Sequence, residues 1–338
     1  MITISLCMIV KNEEKVLARC LESVRGLMDE IIVVDTGSTD KTREIAARYT
    51  QQVYDFAWTD DFSAARNFAF SKARMEYIYS ADADEVLNGE NRERMRILKE
   101  TLLPEVEIVQ MKYGNQLQNN TIYNFDEEYR PKLFKRMRHF VWEESIHETV
   151  RTQPIIYDSD IVITHLPEDV HAGRDFRAFQ KSLAKGQALS ARLHGIYARE
   201  LFIAGGEEDF LEAAPFFEQS AGDVSRGSEE TVQACLVAAR AARFRGDHLR
   251  FFKYIMKVIA GNECSEGCFE LGEFYLDRAD YEEAAVWFYN ARYETQPVLN
   301  IRLGGEEALE RLAQCYICMG NRAQAEVYLR EAEQMRAL

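Results

Sequence analysis

Asp82-Ala83-Asp84-Glu85 follows four strand-forming residues, Tyr77-Ile78-Tyr79-Ser80. Such a run, stopping at a cluster of carboxylates, predicts a buried strand whose C-terminal end reaches the surface. In open α/β sheets, ligands bind at that end. Two aspartates separated by one small residue make a D-x-D element. Their hard oxygens can hold Mg2+ or Mn2+, and the ion in turn can neutralise a diphosphate. An acidic triplet alone is also an ordinary solvated loop, so its meaning rests on the elements that position it.

Those elements alternate. Ile4 to Val10 reads as a first strand, ending in Lys11-Asn12-Glu13-Glu14. Val16, Leu17, Cys20, Leu21 and Val24 then recur at helical spacing, with Gly26 as the stop. Glu30 to Asp35 is a continuous apolar run of the kind buried in a parallel sheet. It ends in Thr36-Gly37-Ser38-Thr39-Asp40, and a helix is expected through Tyr49, capped by Thr39 or Asp40. Val53-Tyr54 predicts a short third strand, and a helix over 64–73 carries Arg66 and Asn67 into the Tyr77 strand. This β-α-β-α order is Rossmann-like in outline. Neither a G-x-G-x-x-G nor a G-x-x-x-x-G-K-[ST] segment is present, which argues against a dinucleotide dehydrogenase and a P-loop NTPase.

Four segments stand in order: Cys7 to Glu14 (CMIVKNEE), Val33 to Asp40 (VVDTGSTD), Phe62 to Asn67 (FSAARN) and Ala81 to Glu85 (ADADE). As a set they resemble the family 2 glycosyltransferases, whose GT-A fold is a Rossmann-like, mostly parallel α/β sheet. The likeness is greatest to a bacterial branch with helical repeats after the catalytic domain, which includes lipooligosaccharide glucosyltransferases and bacteriocin S-glycosyltransferases. The match covers residues 4–85 and weakens through residue 170. The resemblance implies that Val10, Asn12, Glu14, Asp35 and Gly37 border a UDP-sugar, with Asp35 accepting from the uracil imide. It places Arg66 near the diphosphate or base, with Asp61 close by. Asp82 would contact ribose and metal-bound water, and Asp84 would ligate Mn2+ or Mg2+, a Lewis acid for the leaving nucleoside diphosphate. Inversion at the anomeric carbon is a further implication.

Beyond Glu85, residues 91–101 read as a polar helix, Glu107 to Tyr113 as a strand and Gly114 to Asn120 as a turn. Arg130, Lys132, Lys135, Arg136 and Arg138 crowd nine residues of an acidic protein. They make either a strand with a solvated basic face or a positive wall for a diphosphate or acidic acceptor. Trp142-Glu143-Glu144-Ser145-Ile146-His147-Glu148 follows. An inverting transferase needs a base to deprotonate the acceptor nucleophile; Glu148 is the first candidate and Glu144 the second. His165, closing the apolar run from Ile161, is either a third metal ligand or a satisfied core histidine, with His147 and His171 as competitors for the ligand role.

From Asp175 to Leu338 strand signals vanish and Ala, Leu, Glu, Arg and aromatics recur at helical spacing. Leu271-Gly272 with Tyr275, Tyr281, Ala284, Phe288 and Ala291 fits a tetratricopeptide pattern, and Leu312-Ala313 with Tyr316, Gly320, Ala325, Tyr328 and Ala332 repeats it. Expected turns at Gly205, Gly246, Ala279 and Gly320 are spaced by 41, 33 and 41 residues, so long inter-repeat loops such as Pro297 to Gly305 are expected. The domains are therefore 1–174, a GT-A transferase, and 175–338, an all-α tetratricopeptide-like array. Such arrays hold peptides or pair with a second copy, giving a homodimer.

The 338 residues are 47% hydrophobic and 29% charged, with a net charge of −15. That balance excludes a general nucleic-acid binder, and no apolar run approaches a membrane span. The N-terminal run lacks a basic n-region and reads as a strand rather than a signal peptide. Seven cysteines form no even disulfide framework, which fits a reducing, cytoplasmic setting, with peripheral attachment to the inner membrane compatible. Cys315 and Cys318, one helical turn apart, read as small buried hydrophobes rather than zinc ligands, and Cys264 with Cys268 forms no zinc site with them. The leading expectation is a metal-dependent transferase moving a hexose from a UDP-sugar to a peptide or protein. A saccharide or lipooligosaccharide acceptor is the first alternative. A non-catalytic adaptor with a degenerate nucleotide-binding domain, or a nucleotidyltransferase, are others.

Overall fold

The computed structural model describes residues 1–114, 128–144, 149–150, 154–166, 172–184, 186, 188–261 and 263–336. The chain forms two compact units, Met1–His171 and Ala172–Leu338.

The first unit is built on an eight-stranded sheet. In chain order its elements are β1 (Ile4–Val10), α1 (Leu17–Ser23), β2 (Glu30–Asp35), α2 (Thr42–Ala46), β3 (Val53–Asp55), α3 (Phe62–Lys72) and β4 (Tyr77–Ser80). There follow β5 (Glu85–Val86), α4 (Gly89–Thr101), β6 (Ile108–Gly114), β7 (Glu128–Lys135), β8 (Trp142–Glu143), β9 (Thr149–Val150) and β10 (Ile156–His165). The sheet order is β3-β2-β1-β4-β7-β6-β10-β5, and β8 and β9 form a separate antiparallel pair. β1 runs parallel to β2 and β4, and β10 runs parallel to β6. β7 and β5 are antiparallel to their neighbours. One sheet edge therefore collects the C-terminal ends of β1, β2, β4, β6 and β10 with the N-terminal ends of β5 and β7.

Period-two alternation fills both faces. Ile4, Leu6, Met8, Val10, Tyr77 and Tyr79 enter one core with Val16, Leu17, Cys20 and Leu21. Cys7, Ile32, Val34 and Ile78 enter the other with Ala69, Phe70, Phe134 and Trp142. Each fully buried Leu or Met contributes about 1.5–3 kcal/mol relative to exposure, so the buried strands fix the edge against which the polar residues stand. α1 ends earlier than the expected stop at Gly26: Val24 is its C-cap, and Gly26 (φ 77°) lies in the turn that follows.

Three further expectations need correction here. α2 stops at Ala46, and its N-cap is Lys41, not Thr39 or Asp40. Asp40 instead accepts from Thr42 N (2.9 Å) and Glu14 N (3.1 Å), which turns the chain before the helix begins. Gly114 belongs to β6, and residues 115–120 of the expected turn lie outside the described residues. β10 starts at Ile156, five residues before the predicted Ile161.

Among the described residues, the second unit has no strand; its α-helices are α5 (Ala172–Ala184), α6 (Ala191–Ala204), α7 (Glu207–Ser220), α8 (Ser228–Phe244), α9 (His248–Gly261), α10 (Ser265–Leu276), α11 (Tyr281–Tyr289), α12 (Glu306–Cys318) and α13 (Arg322–Arg336). α8 packs on α9, α10 on α11 and α12 on α13. The three hairpins turn through left-handed residues, Gly246 (φ 68°), Ala279 (φ 58°) and Gly320 (φ 81°). The α6–α7 turn differs, because Gly205 is extended. The extra length before α12 is a loop pinned by Glu266, whose buried carboxylate accepts from Val298 N, Leu299 N and Asn300 N at 2.7–3.0 Å. Cys315 is buried as expected, but Cys318 is exposed, because α12 turns it outward. Among the described residues, no helix is long and apolar enough to cross a membrane.

Candidate functional site

The loops after β1 and β2 are laced together. Thr36 N and Oγ1 both donate to Val10 O, at 3.0 and 3.1 Å. Asn12, held at φ 58°, donates its backbone N–H to Ser38 Oγ (2.9 Å), and its side-chain oxygen accepts from Thr39 N (2.8 Å). Glu14 accepts from Lys41 N at 3.0 Å. Asn12 and Glu14 thus brace the neighbouring loop with the side chains expected to border a ligand. Asp35 closes β2 and is 2% exposed. Its Oδ1 accepts from Gly37 N and Ser38 N, both at 2.9 Å, with Gly37 in the left-handed region (φ 101°). Its buried Oδ2 has no hydrogen-bond partner among the described residues. A buried acceptor without a donor is costly, so the oxygen is ready for an N–H from a ligand.

Asp61 caps α3, its Oδ1 accepting from Ala64 N (3.0 Å) and Ser63 Oγ (2.7 Å). The capped helix carries Arg66, which is 9% exposed, to the end of β4. There Arg66 Nη1 donates to Ser80 Oγ (2.6 Å), and Nη2 lies 3.4 Å from Asp82 Oδ1. The guanidinium stacks 4.7 Å from the Trp142 ring centroid. Burial alone would raise the Asp82 pKa, but Arg66, then Lys132 and Arg130, outweigh it and hold the carboxyl well below the usual carboxylate range. The Asp82 side chain is 46% exposed, so water screens part of that attraction.

Two residues on, Asp84 Oδ2 lies 3.0 Å from His165 Nε2. β10 pairs His165 with Glu85 of β5, which fixes this approach across 81 residues of chain. Among the described residues, no three Asp, Glu, His or Cys side chains close into a metal cage. A divalent ion bound with a diphosphate needs only one or two protein ligands, because phosphate and water oxygens complete its shell. Asp84 and His165, a carboxylate and an imidazole on one edge, fit that requirement.

Beneath the aspartates lies a layer that the residue pattern concealed. Glu85, 2% exposed, forms an ion pair with Lys132, 6% exposed. Cys20 Sγ donates to Asp82 O at 3.4 Å, and burial, reinforced by Glu85, Asp84 and Asp82, pushes its thiol pKa up and keeps it protonated. Arg130 stacks 3.9 Å from the centroid of Tyr113, whose ring is 5.3 Å from that of His165. The basic segment is thus split by strand direction. Arg130 and Lys132, at the start of β7, act electrostatically on Asp82. Lys135 and Arg136 sit at the other end, bonded to Pro104 O and Met75 O, and Arg138 pairs with Glu107.

The sequence profile described as "Glycosyl transferase family 2" matches residues 5–160. The first unit is a family 2 glycosyltransferase domain. The glycosyltransferase SunS of the SPbeta prophage in Bacillus subtilis is 42% identical over 93 residues, covering 27% of this chain and 22% of that protein. A TPR repeat-containing protein of Synechococcus elongatus is 49% identical over 87 residues, covering 26% and 22%. The chain thus spans about a fifth of the length of these curated relatives. A structure of glucosyl-3-phosphoglycerate synthase from Mycobacterium tuberculosis, with Mn2+ and UDP-glucose, is 13% identical at a TM-score of 0.41, covering 56% of this chain and 81% of that one. At that score it adds nothing to the topology described above.

Within the glycosyltransferase domain, the structure places Val10 and Asp35 at the ends of β1 and β2, and Asn12, Glu14 and Gly37 on the braced loops after them. Asp61 caps the helix that carries Arg66, Arg66 reaches Asp82, and Asp84 lies against His165. Glu144 follows β8, half-buried and at φ 71°. Glu148, His147 and His171 lie outside the described residues. That Ser80 and Trp142 hold Arg66, and that Lys132 is buried against Glu85, was not expected. Lys132 stands beside Leu133 and Phe134 of β7, but its alternation with them does not distinguish this buried layer from a solvated strand face.

Proposed function

We propose that the protein transfers a hexose from a UDP-sugar to a peptide or protein acceptor, with Mn2+ or Mg2+ at the diphosphate. The observation that carries the reading is Asp84 set 3.0 Å from His165, at the edge where Arg66 meets Asp82. Asp35 Oδ2 accepts the imide N–H of uracil, and the braced loops hold the base. Arg66 stays charged and faces the diphosphate, with its own orientation set by Ser80 and Trp142. Asp84 and His165 hold the ion, which supplies Lewis-acid neutralisation of the leaving diphosphate when bound. Glu148, or else Glu144, takes the proton from the acceptor nucleophile as it attacks the anomeric carbon with inversion. The helical array supports a peptide acceptor, since stacked hairpins offer an extended groove. The setting in this reading is cytoplasmic.

The test is a thermal-shift titration with UDP, with and without Mn2+, followed by a UDP-sugar panel. At UDP a hundredfold above its Kd the stabilisation should be about 2.7 kcal/mol. The metal-dependent part should vanish in Asp84→Ala. No stabilisation by UDP under any divalent ion would overturn the reading in favour of an adaptor. Release of pyrophosphate from UTP and a sugar phosphate would favour a nucleotidyltransferase. Mass spectrometry of products from candidate acceptors separates a peptide from a saccharide.

A further inference from the structure

Asn67 directly follows Arg66 on α3, and its side chain does something different. Its Nδ2 donates to Trp142 O at 2.9 Å, while its Oδ1 accepts from Trp142 N at 2.8 Å. One amide thereby satisfies both backbone groups of one residue, as a neighbouring strand would. The other edge of the same residue is paired with Val150 of β9. A two-stranded hairpin is marginal by itself, and this one is fastened at its base. The Trp142 ring is held as well: it lies 5.7 Å from Phe70 and 5.4 Å from Phe134, with the Arg66 guanidinium at 4.7 Å. Two consecutive helix residues grip Trp142, one by its ring and one by its backbone. In the chain, β8 and β9 bracket Glu144 to Glu148, the segment with both candidate bases.

We propose that Asn67 is a positioning residue that registers the β8–β9 hairpin against the donor site, so that donor and acceptor sides are set by one helix. The amide is matched to this task by its pair of opposite groups, one donor and one acceptor. Aspartate has the same shape but presents an acceptor to Trp142 O, and alanine presents neither. Asn67 reaches the donor side only through Trp142, whose ring is held independently by Phe70 and Phe134, so Arg66 keeps its stacking partner when the amide is lost, and the loss falls on transfer more than on donor binding. This inference rests on the function proposed above.

The experiment compares wild type, Asn67→Asp and Asn67→Ala as full chains. UDP affinity is measured by calorimetry with Mn2+, and turnover with the UDP-sugar that wild type hydrolyses fastest. Both variants should keep UDP affinity within about twofold, while kcat falls roughly ten- to a hundredfold, as misplacement by about 1 Å produces. In Asn67→Asp the part-buried carboxyl faces Trp142 O, an acceptor, which favours its protonated form, so lowering the pH from 8 to 5.5 should restore part of the activity as the acid again donates to that oxygen. Asn67→Ala should show no such recovery. A purely structural role would give equal pH profiles in the two variants, and that result would overturn the proposal. So would unchanged kcat in both variants, or UDP affinity falling in parallel with kcat. A wild-type protein that binds no UDP would overturn the underlying function and this inference with it.

Discussion

Lys132 and Glu85 are the pair on which the acidic loop rests. Both are buried, and Glu85 Oε2 has no hydrogen-bond partner among the described residues. Burial raises the Glu85 pKa, and Lys132 opposes that by its charge and hydrogen bond. Removing one member of a buried pair costs about 3–5 kcal/mol, mostly the penalty for the charge left behind. Lys132→Met should therefore destabilise the first unit by about that amount, measured by urea denaturation. Lys132→Met with Glu85→Gln should recover most of the loss. An additive double mutant would show that the two residues do not act as a pair. At this scale the site was only half legible. Asp35, Asp82 and Asp84 announce themselves because packing alone seldom puts a carboxylate at the end of a buried apolar strand. Lys132 does not, because alternating cations on a strand read equally well as a solvated face. Its burial is decided by β7 sitting between β4 and β6, a pairing that no local pattern encodes.

At the scale of the element, the helical hairpins are fixed by close approach and by turns. A Cβ built on Gly272 of α10 would come within 2.6 Å of the Phe288 ring of α11. Phe288 is fully buried and cannot swing away. Gly272→Ala should thus destabilise the second unit by about 1–3 kcal/mol from overpacking, despite alanine's better helix propensity. Thermal melts would check the sign; a stabilised variant would mean that the α10–α11 contact relaxes freely. This nesting was readable, because small residues opposite aromatics repeat through the array. The α2 cap was misread for a reason of the same kind. Asp40 has the right chemistry for a cap, but its two oxygens are engaged by Thr42 N and Glu14 N. That long-range bond to the β1 loop is invisible to a reading of neighbours.

The whole molecule joins two units with separate cores, and their responses to acid should differ. His194 in the second unit is fully buried, with Nε2 2.8 Å from Ser220 Oγ and Nδ1 3.3 Å from Gln233 Oε1. Burial lowers its pKa, and the Gln233 bond pulls back only in part. Below an unfolded value of about 6.5, the unfolded chain therefore binds the proton that the folded state refuses. The stability that neutral His194 supports is complete above that pH and is lost as the pH falls towards the folded pKa. The limiting slope is about 1.4 kcal/mol per pH unit. Differential scanning calorimetry between pH 7.5 and 5.5 avoids the range in which ordinary carboxylates titrate. Two transitions are expected, one shifted down by acid and the other moved up by UDP with Mn2+. In His194→Gln, which can hydrogen-bond but cannot charge, the acid-sensitive transition should start lower at pH 7.5 and then hold nearly level. An equal downward shift in His194→Gln would remove the histidine as the source. A single transition that responds to both acid and nucleotide would mean that the two units unfold as one.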